Sequence, residues 1–322
     1  MTYSAASIKI WSRLGSCGAY GMAAMELPEI DDNIVMLTAD LKFYSCLTRF
    51  AEKYPDKYYN LGIAEQNMVG VAAGMAKEGL IPFASTYATF ASMRCADQVR
   101  VNMGYMNLNI KLIGLTAGFS VGILGPTHMS TEDLAVMRSI PNITILSPAD
   151  CTETVKATLA AAKMKGPVYL RLTGGLNNPV VFDKDYDFEI GKAIRLREGD
   201  EVAILATGTM VHKSLVAAEI LKDQGISASV TDFHTIKPLD KEAVLKACDS
   251  KLIVTVEEHG VLGGFGSAVS EVLSTMDSAP EQLTIGIQDR YPHAASYDFL
   301  LEQEGLTGEA IAQKIIQKMA LK

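Results

Sequence analysis

What most constrains the fold of this 322-residue chain is a recurring pattern of short, unbroken apolar runs. IVMLTAD (34–40), IPFAS (81–85), IKLIGLTAG (110–118), ITILSPAD (143–150) and PVYLRLT (167–173) show no polar alternation and are too short for buried helices. Runs of this kind suit parallel strands covered on both faces. Between them, segments 7–27 (closed by Pro28), 41–54, 93–106 and 151–165 read as helices, as does 131–139 with Ser130 or Thr131 as its N-cap. Alternating strands and helices predict an α/β protein with a doubly wound parallel sheet. The rhythm resumes in EVAILATGT (201–209), SASVTDF (227–233), KLIVTVEEH (251–259) and LTIGIQD (283–289), which predicts a second, smaller α/β domain. The Pro-, Asn- and acid-bearing stretch NNPVVFDKDYDFEIGKAI (177–194) separates the two. Domains are therefore expected at 1–180 and 193–322, with a linker at 181–192, in keeping with a length that suits two domains.

In doubly wound sheets ligands gather beyond the carboxyl ends of the strands. Asp40, Glu65, Tyr87, residues 116–128 and Thr173 all fall there, which predicts a shared cleft. The stretch 58–90, YYNLGIAEQNMVGVAAGMAKEGLIPFASTYATF, is the most informative part. It runs from a short strand through Gly62 to Glu65 at a helix start, then through a second strand to Tyr87 and Phe90. A carboxylate in a first helical turn ordinarily compensates the dipole in solvent. Here it follows an apolar strand and precedes Gly70, Ala72, Ala73, Gly74 and Ala76, so shielding is expected. A shielded carboxylate beside two aromatics suits a flat, protonatable ring. Small residues let another backbone approach this helix closely.

His128, held in GPTH by Gly125 and Pro126, is a candidate acid–base group. His212, His234, His259 and His293 read as structural. The glycine cluster in HGVLGGFGSAV lacks the lysine of a phosphate loop and reads as a tight turn into a helix. A net charge of −8 argues against a nucleic-acid groove or an anionic membrane surface as partner. Five scattered cysteines without metal-pair spacing read as free thiols in a reducing compartment. The N-terminus MTYSAASIKIW has no basic, apolar leader, and no apolar run approaches the roughly 18 residues of a membrane span. A cytoplasmic location is expected.

YYNLGIAEQNMVGVAAGMA, PFASTYATF, GPTHMSTEDLAVMRSIPN and ILSPADCTET, followed by VAILATGT and TVEEHGVLGGFGSAV, together resemble the C-terminal half of a transketolase in order and spacing. The resemblance covers essentially the whole chain. It implies a thiamine diphosphate-binding fold (the pyrimidine-binding domain) followed by a transketolase C-terminal domain. By this resemblance Glu65 matches the glutamate that hydrogen-bonds N1′ of the cofactor's aminopyrimidine. Phe90 matches the aromatic stacked on that ring, Tyr87 and Met93 line it, and Asp40 lies near the cofactor. Met93 stands where the family often has an aromatic. His128 matches the histidine that contacts the ketose near the reacting carbon.

Two departures shape the functional expectation. The family's diphosphate site uses Gly-Asp-Gly and a later Asn to hold the divalent metal, and this sequence has neither in that arrangement. The resemblance therefore implies a split transketolase. A separate N-terminal subunit would hold the diphosphate and its Mg or Ca ion, with an α2β2 heterotetramer expected. The positions that hold phosphosugars in the family align with Cys17, Tyr44, Thr116 and Gly174, and a donor-contacting aspartate aligns with Leu124. Losing two guanidiniums removes bidentate phosphate recognition, with Arg13 and Arg171 as candidate substitutes. A non-standard ketose donor is expected: branched, deoxygenated or with another terminal group. An aldose would accept the two-carbon ketol unit. The β subunit of a 2-oxo acid dehydrogenase E1, a 1-deoxyxylulose-5-phosphate synthase fragment and a non-catalytic scaffold subunit are the competing readings.

Overall fold

The structure, a computed structural model, describes residues 1–321; Lys322, at the end of the expected second domain, lies outside the described residues. In chain order the strands are β1 (Ile34–Thr38), β2 (Tyr58–Asn60), β3 (Ile81–Tyr87), β4 (Lys111–Ala117), β5 (Thr144–Leu146) and β6 (Val168–Thr173). They continue with β7 (Ile194–Arg197), β8 (Val202–Ala206), β9 (Ala228–Asp232), β10 (Thr235–Lys237), β11 (Leu252–Gly260) and β12 (Glu281–Ile287). One sheet has the order β10-β5-β6-β4-β3-β1-β2 and the other β12-β11-β8-β9-β7. All pairings are parallel except β10 with β5 and β7 with β9.

Successive residues of a strand point to opposite faces, and β1 shows both faces in use. Val35 and Leu37 join one core, while Ile34 and Met36 join the other. β4 divides likewise, with Leu112 on the first side and Ile113 and Leu115 on the second. This double burial is why the sequence shows unbroken apolar runs. The first of these cores does not stop at the domain boundary: Leu205, Phe233, Ile236 and Phe265 pack into it alongside Leu112, Leu134 and Tyr169. β10 extends the union by adding an antiparallel edge to the first sheet from beyond the linker. It is only three residues long and has no independent apolar pattern, so the sequence does not disclose it. The segment expected as a linker is itself fastened. Asp150 accepts hydrogen bonds from the backbone N–H groups of Val181 and Phe182 at 2.7 and 2.8 Å, and Glu153 accepts one from Tyr186 at 2.8 Å.

Several helices differ from expectation. The first spans Ala5–Ala24, capped by Ser4, and is interrupted at Gly15, whose φ is +74°. A Cβ there would lie 2.3 Å from the Gly175 carbonyl oxygen, so close approach of the two segments requires glycine. Of the expected helix 41–54 only Thr48–Lys53 forms; Asp40 and Cys46 are left-handed, and Ser45 folds its hydroxyl onto the Leu41 carbonyl at 2.8 Å. The expected helix 93–106 is a succession of widened turns, Phe90–Arg94 and Val99–Tyr105, either side of Ala96–Gln98. The expected N-cap at Ser130 or Thr131 is also corrected. The helix is Asp133–Ser139, because Thr131 donates both its N–H and its hydroxyl to Glu132 at 2.9 and 2.8 Å. In the second domain the glycine cluster does turn into a helix, Phe265–Leu273, whose first N–H groups, of Phe265 and Gly266, are taken by Glu257 at 2.6 and 2.7 Å.

One ion pair is buried where the two domains meet. Arg171 on β6 is 1% exposed and Asp133 is 0% exposed, with Nε 2.8 Å from Oδ2. Tyr169 donates to the same oxygen at 2.8 Å, and Arg171 Nη2 reaches the Glu258 carbonyl at 2.9 Å. This overturns the expectation that Arg171 might hold a substrate phosphate, because its guanidinium is already committed inside the protein. Burial by itself pushes the Asp133 carboxyl up. The charge of Arg171 and the hydrogen bonds from Arg171 and Tyr169 outweigh it and hold the carboxyl below its ordinary value. Asp133 therefore stabilises the fold above the ordinary carboxylate range, and that contribution is lost as pH falls through its depressed value. Arg171→Leu should cost about 3–5 kcal/mol near neutral pH. The deficit relative to wild type should shrink as pH is lowered through about 4. Denaturant unfolding of both proteins across pH measures this, and a deficit independent of pH would contradict it.

Candidate active site

β3 ends by delivering Tyr87, and the widened turn that follows turns Phe90 back toward the sheet's carboxyl edge. The loop after β4 brings His128 to the same place. The His128 ring lies edge-on to Phe90 at 5.4 Å and to Tyr87 at 5.9 Å, and Tyr87 and Phe90 are 5.9 Å apart. Tyr44 joins from the far side, 6.2 Å from Tyr87. Three of the expected residues thus form one aromatic cluster, with Tyr87 buried and Phe90 and His128 partly open. The Thr127 hydroxyl and His128 Nδ1 are 2.9 Å apart, a contact that orients the imidazole and leaves Nε2 for a ligand.

Glu65 begins the helix Glu65–Lys77 and is 4% exposed, so the shielding expected of it is present. The helix lays Met68, Val69, Ala72 and Ala73 against the sheet. Gly70 and Gly74 are on its open side, with nothing within 4 Å of where their Cβ atoms would be.

Arg94 links Glu65 to the aromatics, and sequence reasoning missed it. Its Nη1 is 2.7 Å from Glu65 Oε1, and its guanidinium carbon is 3.9 Å from the Phe90 ring centre. Its side chain is 43% exposed, so the pair sits at the mouth of the cleft. One cation therefore fixes both a carboxylate and an aromatic face by charge-assisted hydrogen bonding and cation–π contact. The available signal was spacing: Arg94 follows Phe90 by four residues, which places the two on one face of a helical turn. Gln66 anchors the turn by donating to the Arg94 carbonyl at 3.1 Å.

Asp40, at the end of β1, has φ +60° and is exposed. Its N–H donates to Asn60 Oδ1 at 2.9 Å and its Oδ1 accepts from Asn60 Nδ2 at 3.1 Å. The same Asn60 oxygen accepts from the Gly62 N–H at 3.1 Å, which ties Asp40 to the turn leading into Glu65. Met93 is half exposed and Leu124 is 46% exposed.

Thr116 and Gly174 lie together on the wall of a cavity of about 600 Å³, with Cys17 and Tyr44. Leu14, Phe43 and Leu176 supply apolar surface, and Arg49 is the single cationic side chain in the lining. Burial pushes the Cys17 thiol up to about 12 and raises that of Cys46, so both are neutral at physiological pH. Tyr44 belongs to both the cavity and the aromatic cluster, so the two are contiguous. Thr116 has φ +53° and Gly174 φ +79°, each at the end of its strand. Arg13, the other candidate for phosphate, is exposed and is not among the residues lining the cavity.

Comparisons with known proteins agree with this fold. Residues 16–178 match the transketolase pyrimidine-binding domain and residues 191–311 the transketolase C-terminal domain. A 6-deoxy-6-sulfo-D-fructose transketolase subunit from Clostridium sp. (strain MSTE9) is 43% identical over 90% of this chain and 89% of its own length. Human transketolase is 35% identical over 96% of this chain, which corresponds to 50% of that protein. A solved split-gene transketolase, described as an inactive β4 tetramer, is 39% identical with a TM-score of 0.86, covering 96% of this chain and 99% of that one. No helix among the described residues is long and apolar enough to cross a membrane. With both domain types matched in order along nearly its full length, this chain belongs to the thiamine-dependent transketolase family.

Proposed function

We propose that this chain is the pyrimidine-binding half of a split transketolase, which moves a two-carbon ketol unit from a ketose donor to an aldose acceptor. The observation that carries this reading is a buried carboxylate, Glu65, at the edge of an aromatic wall made by Phe90, Tyr87 and His128. Those residues fit one end of thiamine diphosphate, its aminopyrimidine. When bound, the cofactor supplies an electron sink at its thiazolium carbon.

The work of this chain is then to hold and orient. Glu65 would share a proton with a ring nitrogen, and its burial would strengthen that hydrogen bond by excluding water. Arg94 holds Oε1 at 2.7 Å, and Oε2 would be left to meet the ring. Phe90 gives the ring a face to lie on, and Tyr87 closes the wall behind it. Asp40 and Asn60 hold the turn that sets the angle of Glu65. His128 presents Nε2 to the donor's hydroxyl or carbonyl near the reacting carbon. Among the described residues no group of three or more His, Cys, Asp and Glu could hold a metal ion. We assign the diphosphate and its divalent ion to an N-terminal subunit, in an α2β2 assembly in the cytoplasm. Similarity to a protein named as a transketolase subunit and to a split-gene chain matched over 99% of its length supports this assignment. The open side of the helix Glu65–Lys77, at Gly70 and Gly74, suits close docking of that subunit. The boundaries 1–180 and 193–322 are proposed on the same footing.

The purified chain alone should neither turn over ketoses nor bind thiamine diphosphate tightly, and adding the N-terminal subunit should restore both. Calorimetric titration and a coupled assay measure this; robust turnover by the rigorously purified chain would refute the split assignment. In the reconstituted enzyme Glu65→Gln should lower kcat by about 10²–10⁴-fold, the range for removing a positioned acid–base group. Retention of full kcat would remove Glu65 from its assigned role.

The cavity beside Tyr44 supports a non-standard donor. Its apolar walls and neutral thiols stand where the family presents phosphate ligands, and Arg49 is left to meet one anionic group. A ketose with a deoxygenated or otherwise altered distal end fits these walls better than a doubly ionised phosphate. Turnover of such ketoses should exceed that of xylulose 5-phosphate in kcat/KM by an order of magnitude or more, since one desolvated mismatch costs about 1–3 kcal/mol. Ordinary efficiency with xylulose 5-phosphate in a donor screen would contradict this.

A further inference from the structure

We propose that Glu258, on β11 of the second domain, is a positioning residue that sets the loop carrying His128 and so gives the C-terminal domain a part in donor handling. The loop runs from the end of β4 to the helix Asp133–Ser139. It is pinched at its base by paired backbone hydrogen bonds between Gly118 and Ser130, at 2.9 and 3.2 Å. Three successive residues of β11 grip that base. Glu258 Oε1 accepts the Phe119 N–H at 2.7 Å. His259 Nε2 accepts the Leu134 N–H at 3.1 Å, while its Nδ1 is 2.7 Å from the Gly260 carbonyl. The Gly260 N–H donates to the Thr131 carbonyl at 2.7 Å.

The second carboxylate oxygen of Glu258 is fixed from within its own domain. Thr209 and Tyr297 donate hydroxyl hydrogen bonds to Oε2 at 2.6 and 2.8 Å. Glu258 is 1% exposed, so these bonds act without competition from water. Burial pushes His259 down to about 4, so its imidazole is neutral and Nε2 is an acceptor. Gly118 has φ +67°, and a Cβ there would lie 2.2 Å from Glu258 Oε1, so the contact requires glycine at that position. At the loop's apex Ala295 donates to the Gly122 carbonyl at 3.2 Å, and a Cβ on Gly122 would meet Leu300. His128 hangs between base and apex, both held by the second domain. None of these contacts touches the cofactor wall at Glu65.

A group that contacts substrate loses about 100-fold in rate when displaced by an ångström, so a clamp at the loop base is felt at His128. That catalytic consequence rests on the reading of His128 given above, whereas the clamp itself does not. The test uses Glu258→Ala, Glu258→Gln and Tyr297→Phe. In the isolated full chain, amide exchange across 118–131 should accelerate in Glu258→Ala, by at least tenfold at Phe119. It should accelerate less in Tyr297→Phe and least in Glu258→Gln, which keeps an acceptor for Phe119. In the enzyme reconstituted with its partner, Glu258→Ala should raise donor KM and lower kcat about 100-fold, with acceptor KM and thiamine diphosphate affinity unchanged and with rescue by Glu258→Gln. Should Glu258→Ala fail to fold, the ordered response of Tyr297→Phe and Glu258→Gln carries the same test. Unaltered exchange across 118–131 overturns the clamp. Altered exchange with an unchanged donor KM overturns the catalytic role and leaves the clamp standing.

Discussion

The Asp133–Arg171 pair is the interaction on which the rest of the structure depends. Arg171 belongs to the central part of the first sheet, Asp133 opens the helix after the His128 loop, and the Glu258 carbonyl that Arg171 also reaches belongs to the second sheet. A single guanidinium thus joins three pieces of chain that are far apart in sequence. A buried pair costs desolvation on both sides and is worth keeping only where its geometry does something that apolar packing cannot. Here it fixes direction. Leucine and valine would fill the volume, but they would not specify how the helix, the sheet and β11 are turned relative to one another.

That fixed arrangement explains why some of the site was legible in the sequence and some was not. Glu65, Tyr87 and Phe90 are recognisable because they sit within one strand–helix–strand unit whose periodicity places them at the sheet's carboxyl edge. His128 is recognisable because a rigid Gly-Pro turn precedes it. Arg94 is different. Its partner lies 29 residues upstream, and its approach to Phe90 depends on a widened turn that no local propensity signals. Glu258 is more remote still: it meets Phe119 across 139 residues. Pattern reasoning sees neighbours on a face and misses partners brought together by topology. Arg171 stood as one of two candidate phosphate ligands for the same reason, since nothing near it in sequence announces Asp133.

The same distinction applies to the fold. The parallel strands show in the sequence because both of their faces are buried, which leaves continuous apolar runs. The three-residue β10 and the four-residue antiparallel β7 are edge elements too short to carry such a pattern. Helix ends shifted where a side chain offered the backbone a local partner, as Ser45 does for Leu41 and Glu132 for Thr131. These are cases in which short polar contacts outcompete the regular ladder.

The division of labour within the chain follows from where charge is allowed. Around the aromatic wall beside Glu65 the charged groups are few and each is held: Glu65 by Arg94, Asp40 by Asn60. The cavity beyond Tyr44 carries one cation and is otherwise apolar or neutral. An acidic chain of net charge −8 gives an anionic sugar no long-range attraction. On the proposed reading, selectivity comes from contact within the cavity, where Arg49 is the one cation in the lining that could meet an ionised oxygen. A wall that selects in this way works only if it cannot yield. The proposed clamp of β11 on the His128 loop would keep it from yielding, as would the pairing of Arg171 with Asp133.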